Sequence, residues 1–257
     1  MKVFVFILAL LGPFSATASV QDKVAEIWGH RVAYQLVILK DKSQSDDGKA
    51  LVISRGKKQF NRVVVNTTYF EKEALEIWKT FESTRPPLFQ YHPAPVLSVD
   101  QWHDLKKQLQ YVAWHPVYLK AKAGHRNTRS ARRDFVKTFR EIRTRTIEYH
   151  ELSHILDQNL MLGDLGRADF GSLSETRAFI TELAYGENPL DSLWQGAAGA
   201  LDEMRRGKNV DSSRLKMKMV LEATQTPLTL LSRSATKNLA LLLHKGAGRK
   251  FFRRMTT

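Results

Sequence analysis

Hydrophobic positions in the first third of the chain are concentrated in three β-branched runs, 32–39, 50–54 and 62–66. Runs of this length and composition are typical of strands, and the polar, glycine-containing stretches Asp46-Asp47-Gly48 and Arg55-Gly56-Lys57-Lys58 between them are typical of turns. The pattern therefore predicts a small group of β-strands. The first run is also compatible with the continuation of a helix that begins near Asp22.

The following segments have helical periodicity. A helix is predicted over 71–81, and another begins where Ser98 and Gln101 form a capping box. The buried face of this second helix would consist of Trp102, Leu105, Leu109 and Val112. Between the two helices the proline-rich stretch 85–95 interrupts regular structure, which predicts an exposed linker and the best domain boundary. A short strand is expected at 117–121.

From residue 130 onward the pattern is almost entirely helical. Asn188 and Pro189 are typical of a helix start, Gly207 of its end, and two more helices are expected at 213–223 and 235–244. The inner face of the helix after Pro189 would carry Leu190, Leu193, Ala197, Leu201 and Met204. The predicted class is α+β, with a mixed part over 19–95 and a mostly helical part over 96–257.

The first eighteen residues have the pattern of a signal peptide. Lys2 precedes an apolar run over 3–11, which is followed by Gly12-Pro13 and by the small-residue triplet Ala16-Thr17-Ala18. Cleavage is expected before Ser19. The run is too short for a permanent membrane span, so the predicted product is exported, without a transmembrane anchor, and periplasmic or secreted.

The chain of 257 residues contains no cysteine. Disulfides and thiolate ligands are therefore excluded, and any metal ion would have to be held by His, Asp or Glu. An exported chain of this size without disulfides favours a bacterial origin.

Positive charge dominates the chain and is locally concentrated. The formal net charge is +14, and the segment from Lys120 to Arg145 contains ten lysines or arginines against two acids. Within it Arg129, Arg133, Lys137 and Arg140 recur at helical spacing, opposite Phe135, Phe139 and Ile142. This predicts a helix with one basic face. The face would either attract an anionic partner, such as a lipid headgroup, wall polymer, nucleic acid or acidic peptide, or serve as a solvated surface.

Two histidines four residues apart occur in the stretch TIEYHELSHILDQ, residues 146–158. On a helix, His150 and His154 project to the same side one turn apart, so their imidazoles can bind one ion. Glu151 lies on the flank of that face, where its carboxylate can reach a metal-bound water as a general base. The alternative is a pair of ordinary helix histidines.

A catalytic zinc site with two histidines needs a third protein ligand from another element. Glu175 is the candidate, because it lies on a following helix that is expected to start with a serine-capped acidic turn near Ser172. Ala178 would leave room for close helix approach, and Glu182, two turns further, is a possible partner of one histidine.

The motif from His150 to His154, followed by Glu175, resembles that of the gluzincin metallopeptidases, the thermolysin-like branch of the zincins. The resemblance covers 147–183 and implies that the two histidines and Glu175 bind one zinc ion and that Glu151 activates the attacking water. The chain departs from the family pattern at Glu148, where an uncharged residue is usual, and at Phe179, where thermolysin-like members carry an aspartate.

Other residues remain alternatives for parts of the site. Asp157 lies on the histidine face and is a possible ligand or a partner of a histidine, and Asp164 and Asp169 are loop alternatives to Glu175. Tyr185 and His244 are candidates for the donor that stabilises the oxyanion, a role that His or Tyr has in thermolysin-like enzymes.

The predicted function is zinc-dependent hydrolysis of peptide bonds, in proteins or in cross-linked cell-wall peptides, with Glu151 as general base and one Zn²⁺ per chain. The alternative is a basic, exported, non-catalytic binding protein whose metal site is structural or vestigial. Glu151 separates these two hypotheses, because a structural site closes its fourth position with protein and does not need an adjacent base.

Overall fold

The computed structural model describes residues 18–42, 47–55, 58–83, 99–159 and 167–205. Four strands precede five helices in these ranges. They are β1 Ser19–Ile27, β2 His30–Leu39, β3 Gly48–Arg55, β4 Lys58–Asn66, α1 Phe70–Ser83, α2 Val99–Gly124, α3 Thr128–Asn159, α4 Arg167–Tyr185 and α5 Pro189–Arg205. The predicted α+β class is confirmed.

The four strands form one sheet in the order β1-β2-β4-β3. Strand β2 runs parallel to β4, whereas β1 and β3 are antiparallel to their neighbours and form the two edges. The three predicted strands correspond to β2, β3 and β4. The alternative of a helix from Asp22 is wrong, because Ser19–Ile27 pairs along its whole length with β2.

The turn between β1 and β2 consists of Trp28 and Gly29, both with positive φ angles of 53° and 82°. Two-residue hairpin turns of this kind favour Asn-Gly, and a bulky residue at the first position is strained. Trp28 is held there by α4: its backbone N–H donates to the Tyr185 hydroxyl, and its indole N–H donates to the Thr181 hydroxyl at 3.0 Å. The turn thus connects the sheet to α4.

Helix α3 is the central element, because it contacts β2, β3, β4, α1, α2 and α4. One continuous hydrophobic core includes residues of the sheet, such as Leu36 and Val65, and residues of the helices, such as Trp78, Trp114 and Phe139. The boundary predicted at the proline-rich stretch therefore lies between elements that share one core.

Most helix predictions agree with the structure. Helix α1 contains the predicted 71–81, and the predicted face of α2 is buried at Trp102, Leu105 and Leu109 and half-buried at Val112. Helix α5 starts at Pro189, and Leu190 and Leu193 are buried on its inner side.

The short strand expected at 117–121 is wrong, because α2 continues through this segment to Gly124. Pro116 removes one backbone hydrogen bond but lies on the exposed side of the helix. Trp114, Tyr118 and Ala121 are buried, and this packing outweighs the local preference.

The start expected for α4 near Ser172 is also wrong, because the helix is already formed from Arg167. Asp169 consequently lies within a helix rather than in a loop. Several other predictions lie outside the described residues: the signal peptide except Ala18, Ser98, the linker 85–95, Asp164, the end at Gly207, the two later helices and His244. In the described part of the chain, no helix is long and apolar enough to cross a membrane.

Glu148 attaches α3 to the sheet. Its buried carboxylate accepts hydrogen bonds from the Tyr34 hydroxyl on β2 and from the Lys23 ammonium on β1, the latter at 2.9 Å. A buried carboxylate is tolerated only when it is paired in this way. The charged residue that departs from the zincin pattern therefore points to the sheet and forms part of the interface between helix and sheet.

The Tyr34→Phe variant tests this attachment. Loss of the hydroxyl leaves Glu148 with Lys23 alone, so the free energy of unfolding at pH 7 should fall by about 2 kcal/mol, as for a hydrogen bond to a charged group. Burial and the bond to Glu148 raise the pKa of Tyr34 far above its usual value. Above about pH 10 the unfolded tyrosine loses its proton while the folded one keeps it, so the wild type should lose stability that the variant does not. Urea unfolding at pH 8 and 10.5 measures the difference in the free energy of unfolding between wild type and variant, and this difference should be smaller at pH 10.5. If the difference in stability between wild type and variant is the same at both pH values, the hydrogen bond between Tyr34 and Glu148 is not supported.

Candidate metal centre

Helix α3 places two imidazoles against each other. The Nε2 atoms of His150 and His154 are 3.1 Å apart, and both side chains are half-buried. The spacing of four residues produces this pair directly, since the two positions lie on the same side of the helix one turn apart.

Helix α4 adds the carboxylate of Glu175. Its Oε2 lies 3.7 Å from His150 Nε2, and its Oε1 lies 3.5 Å from His154 Nε2. One ligand atom from each of the three residues lies within 4.8 Å of the others. Ligand atoms around a tetrahedral ion at 2.0–2.1 Å are separated by about 3.3–3.4 Å, so small side-chain shifts would bring the three atoms to that spacing. Among the described residues, these three form the group of His, Asp and Glu side chains that could hold a metal ion.

Glu182 determines which nitrogen of His150 carries the proton. The Nδ1–H of His150 donates to the Glu182 carboxylate, which leaves Nε2 available as a ligand when the ring is neutral. Burial disfavours the charged imidazole, but the hydrogen bond and charge of Glu182, with the charges of Glu151 and Glu175, outweigh it and raise the pKa of His150 to about 9. The surroundings of this ring therefore favour a positive charge, which a cation at Nε2 would also supply.

His154 is oriented through a serine. The Ser174 hydroxyl donates to Asp157 Oδ2 at 2.8 Å, so it must accept from His154 Nδ1–H, also at 2.8 Å. Arg177 pairs with the other oxygen of Asp157 at 2.6 Å. The Nε2 of His154 is thus free to bind a metal ion, and Asp157 acts on this histidine through Ser174.

With both Nδ1 atoms donating, the two Nε2 atoms face each other across 3.1 Å. Two acceptors at this distance repel unless a proton or a cation lies between them. The raised pKa of His150 places a proton between them at neutral pH. A metal ion held by the two histidines and Glu175 would take the place of that proton, so the donor set fits a metal.

Glu151 lies between the two histidines and turns towards the edge strand β3. Its carboxylate is buried, and the backbone N–H of Ala50 hydrogen-bonds it. Burial raises the pKa of Glu151, although the two nearby histidines and the Ala50 N–H oppose the effect. A carboxylate with a raised pKa is a stronger base than an exposed glutamate.

Gly48 allows this close approach. A Cβ atom at this position would lie 2.5 Å from Glu151 Oε1 and 2.5 Å from Ile147 Cγ2. The first residue of β3 must therefore be glycine if α3 is to pack against the strand with Glu151 in its observed position.

A second group of buried charges lies two turns before His150 on α3. The Arg143 guanidinium is 3.2 Å from Asp191 on α5 and 3.6 Å from Asp47 before β3. Asp191 also accepts the indole N–H of Trp114 on α2 at 2.8 Å. This group connects α3 to three other parts of the fold and keeps the end that carries His150 and His154 in register with β3.

Tyr185, the predicted oxyanion donor within the described residues, contacts the hairpin turn and α3. Tyr185 stacks on Tyr149, and its hydroxyl accepts the Trp28 N–H. The site also depends on residues that sequence analysis did not select for a role in it, namely Gly48, Ala50, Ser174 and Arg177. Each acts through a contact between distant segments, and only the position of Ser174 next to Glu175 offered a signal.

Comparisons with known proteins add no relationship, since no family model, curated protein or solved structure matches the chain.

The Gly48→Ala variant tests the packing between β3 and Glu151. The added methyl group has no space, so Glu151 or the strand must move, and overpacking of this kind costs about 1–3 kcal/mol of stability. Gly124→Ala is the matched control, because a Cβ at the end of α2 meets nothing within 4 Å. Urea unfolding of both variants measures the difference. Equal free energies of unfolding for Gly48→Ala and Gly124→Ala would contradict the close contact between Gly48 and Glu151.

Proposed function

We propose that this chain is an exported zinc-dependent metallopeptidase that hydrolyses peptide bonds, with Glu151 as the general base. The observation that carries the proposal is the convergence of His150 Nε2, His154 Nε2 and the Glu175 carboxylate, with one ligand atom from each within 4.8 Å of the others, beside a buried fourth side chain, Glu151. A ligand set and an adjacent base in one place are the two requirements of metal-assisted hydrolysis.

Zinc is the metal that this donor set favours. Two imidazole nitrogens and one carboxylate at tetrahedral spacing are typical of catalytic zinc sites, whereas magnesium and calcium prefer oxygen ligands and higher coordination. The three ligand side chains keep exposed fractions of 21%, 16% and 35%, which leaves access for water and substrate. Zinc bound there would lower the pKa of a coordinated water towards neutrality and polarise a substrate carbonyl.

The chain's own residues have separate tasks in this mechanism. Glu151 accepts a proton from the attacking water and donates it to the leaving amine, and its raised pKa suits both transfers. Glu182 and Ser174 hold the two imidazoles with Nε2 directed at the site, so that no rotation is needed when the metal binds.

Strand β3 supplies an argument for a peptide substrate. It is an edge of the described sheet, and the backbone N–H of Ala50 points away from β4 towards Glu151. An extended peptide can add to such an edge through main-chain hydrogen bonds, which would bring a scissile amide next to the base. Esters and sugars do not have the repeating N–H and C=O groups that an edge strand recognises.

Glu175→Ala tests the metal site. Because only two histidines remain, the variant should lose bound zinc, which is expected at about one ion per chain in the purified wild type. It should also lose the thermal stabilisation that zinc gives to the wild type. Glu141→Gln on the exposed side of α3 is the control and should keep both. Full zinc occupancy in Glu175→Ala would show that another residue, such as Glu182 or Asp157, is the third ligand.

Glu151→Gln separates chemistry from metal binding. The amide keeps the size of the side chain but cannot accept the proton, so hydrolysis of a general protein substrate such as casein should fall by at least about a hundredfold. Zinc content should remain near that of the wild type. An unchanged rate would refute the role of Glu151, and zinc binding without any hydrolysis by the wild type would favour the non-catalytic binding protein.

A further inference from the structure

The hairpin formed by the end of α2 and the start of α3 carries a group of exposed cations, which we call the basic tip. It consists of Lys120, Lys122, Arg126, Arg129, Arg132, Arg133 and Lys137. All seven side chains are exposed, and every residue from Lys122 to Arg129 is exposed as well. The tip therefore projects from the helical layer into solvent.

The positive charge of the basic tip is not balanced locally. Between residues 105 and 140 the single acid is Asp134, and it lies 3.6 Å from His125. Within the described part of the chain, no carboxylate lies within ion-pair distance of any of the seven cations. Seven like charges on one hairpin repel each other, and an anionic partner would relieve this repulsion.

An apolar residue accompanies the cations. Leu119 is 52% exposed and is followed directly by Lys120, and the Lys122 ammonium lies 5.5 Å from the centre of the Tyr118 ring. Tyr118 itself is buried, so among the described residues the tip offers no exposed aromatic ring on which a nucleic-acid base could stack. An exposed leucine beside several lysines and arginines is instead the combination found on surfaces that bind lipid headgroups.

We propose that the basic tip docks on an anionic lipid surface, with the lysines and arginines at the headgroups and Leu119 in the interfacial layer. The cations lie at the end of a helical hairpin, where α2 meets α3, and an exposed leucine lies beside them, so a lipid surface fits the tip better than a polymer recognised by charge alone. His150 lies 17 residues after Arg133 on the same helix, about 25 Å along its axis, so docking leaves the metal site accessible. The proposal does not depend on hydrolysis.

The test is sedimentation of the protein from Ser19 onward, without the predicted signal peptide, with vesicles of phosphatidylcholine alone or mixed with phosphatidylglycerol, at low and at moderate salt. The wild type should bind the anionic vesicles only, and more weakly at moderate salt. The triple variant Arg129→Gln, Arg133→Gln, Lys137→Gln should bind at least about tenfold more weakly, since each headgroup cation contributes substantially to the attraction. The matched control replaces three exposed cations elsewhere, Arg31, Lys40 and Lys79, by Gln and should bind like the wild type.

Leu119→Ser separates lipid from other anions. This variant should bind anionic vesicles more weakly than the wild type but should bind duplex DNA equally, because a leucine contributes to insertion and not to charge. Equal vesicle binding by the two triple variants would show that the net charge of the whole protein, and not the basic tip, determines binding, and would overturn the proposal. No binding of the wild type to anionic vesicles, or binding to DNA that is stronger and equally tip-dependent, would also overturn the proposal.

Discussion

The structure depends on the burial of a helix that is rich in polar residues. Helix α3 packs against the sheet and against α1, α2 and α4, so the ionisable side chains on its inner faces, Arg143, Glu148, Glu151 and Asp157, have little access to water. A buried charge is costly unless it is paired, and here each one has a partner on another element. Glu148 binds Tyr34 and Lys23, Arg143 binds Asp191, and Asp157 binds Arg177. These pairs fix the rotation of α3 about its own axis and its position along that axis relative to the sheet and the other helices.

The candidate metal centre is a consequence of that arrangement. Once α3 is aligned by Glu148 on the sheet side and Arg143 on the helix side, its histidines face α4 and Glu151 faces β3. Glu182 and Ser174 then meet the two Nδ1 atoms, and the strained turn at Trp28 holds α4 at Thr181 and Tyr185. Protein contacts thus bring the side chains of His150, His154 and Glu175 together, and preorganisation of this kind would reduce the cost of ordering a metal site there.

Local patterns predicted many elements but failed where packing outweighed them. The periodic apolar faces of α2 and α3 were correct because side chains that face a core must recur with the helical period. The segment 117–121 was misassigned as a strand since its local composition after Pro116 is strand-like, whereas the burial of Tyr118 and Ala121 keeps it helical. Ser172 resembled a helix cap although α4 begins at Arg167.

The sequence by itself determined what lies within one helical turn. The spacing of His150 and His154 required both imidazoles to share a side of α3, and it left Glu151 on the flank. Only the tertiary structure decided that the Glu175 carboxylate lies beside both histidines, that Glu182 and Ser174 orient the rings, and that Gly48 and Ala50 adjoin Glu151. The reason is physical: these contacts join segments up to about a hundred residues apart, and they arise from burial and pairing of charges that local periodicity does not encode.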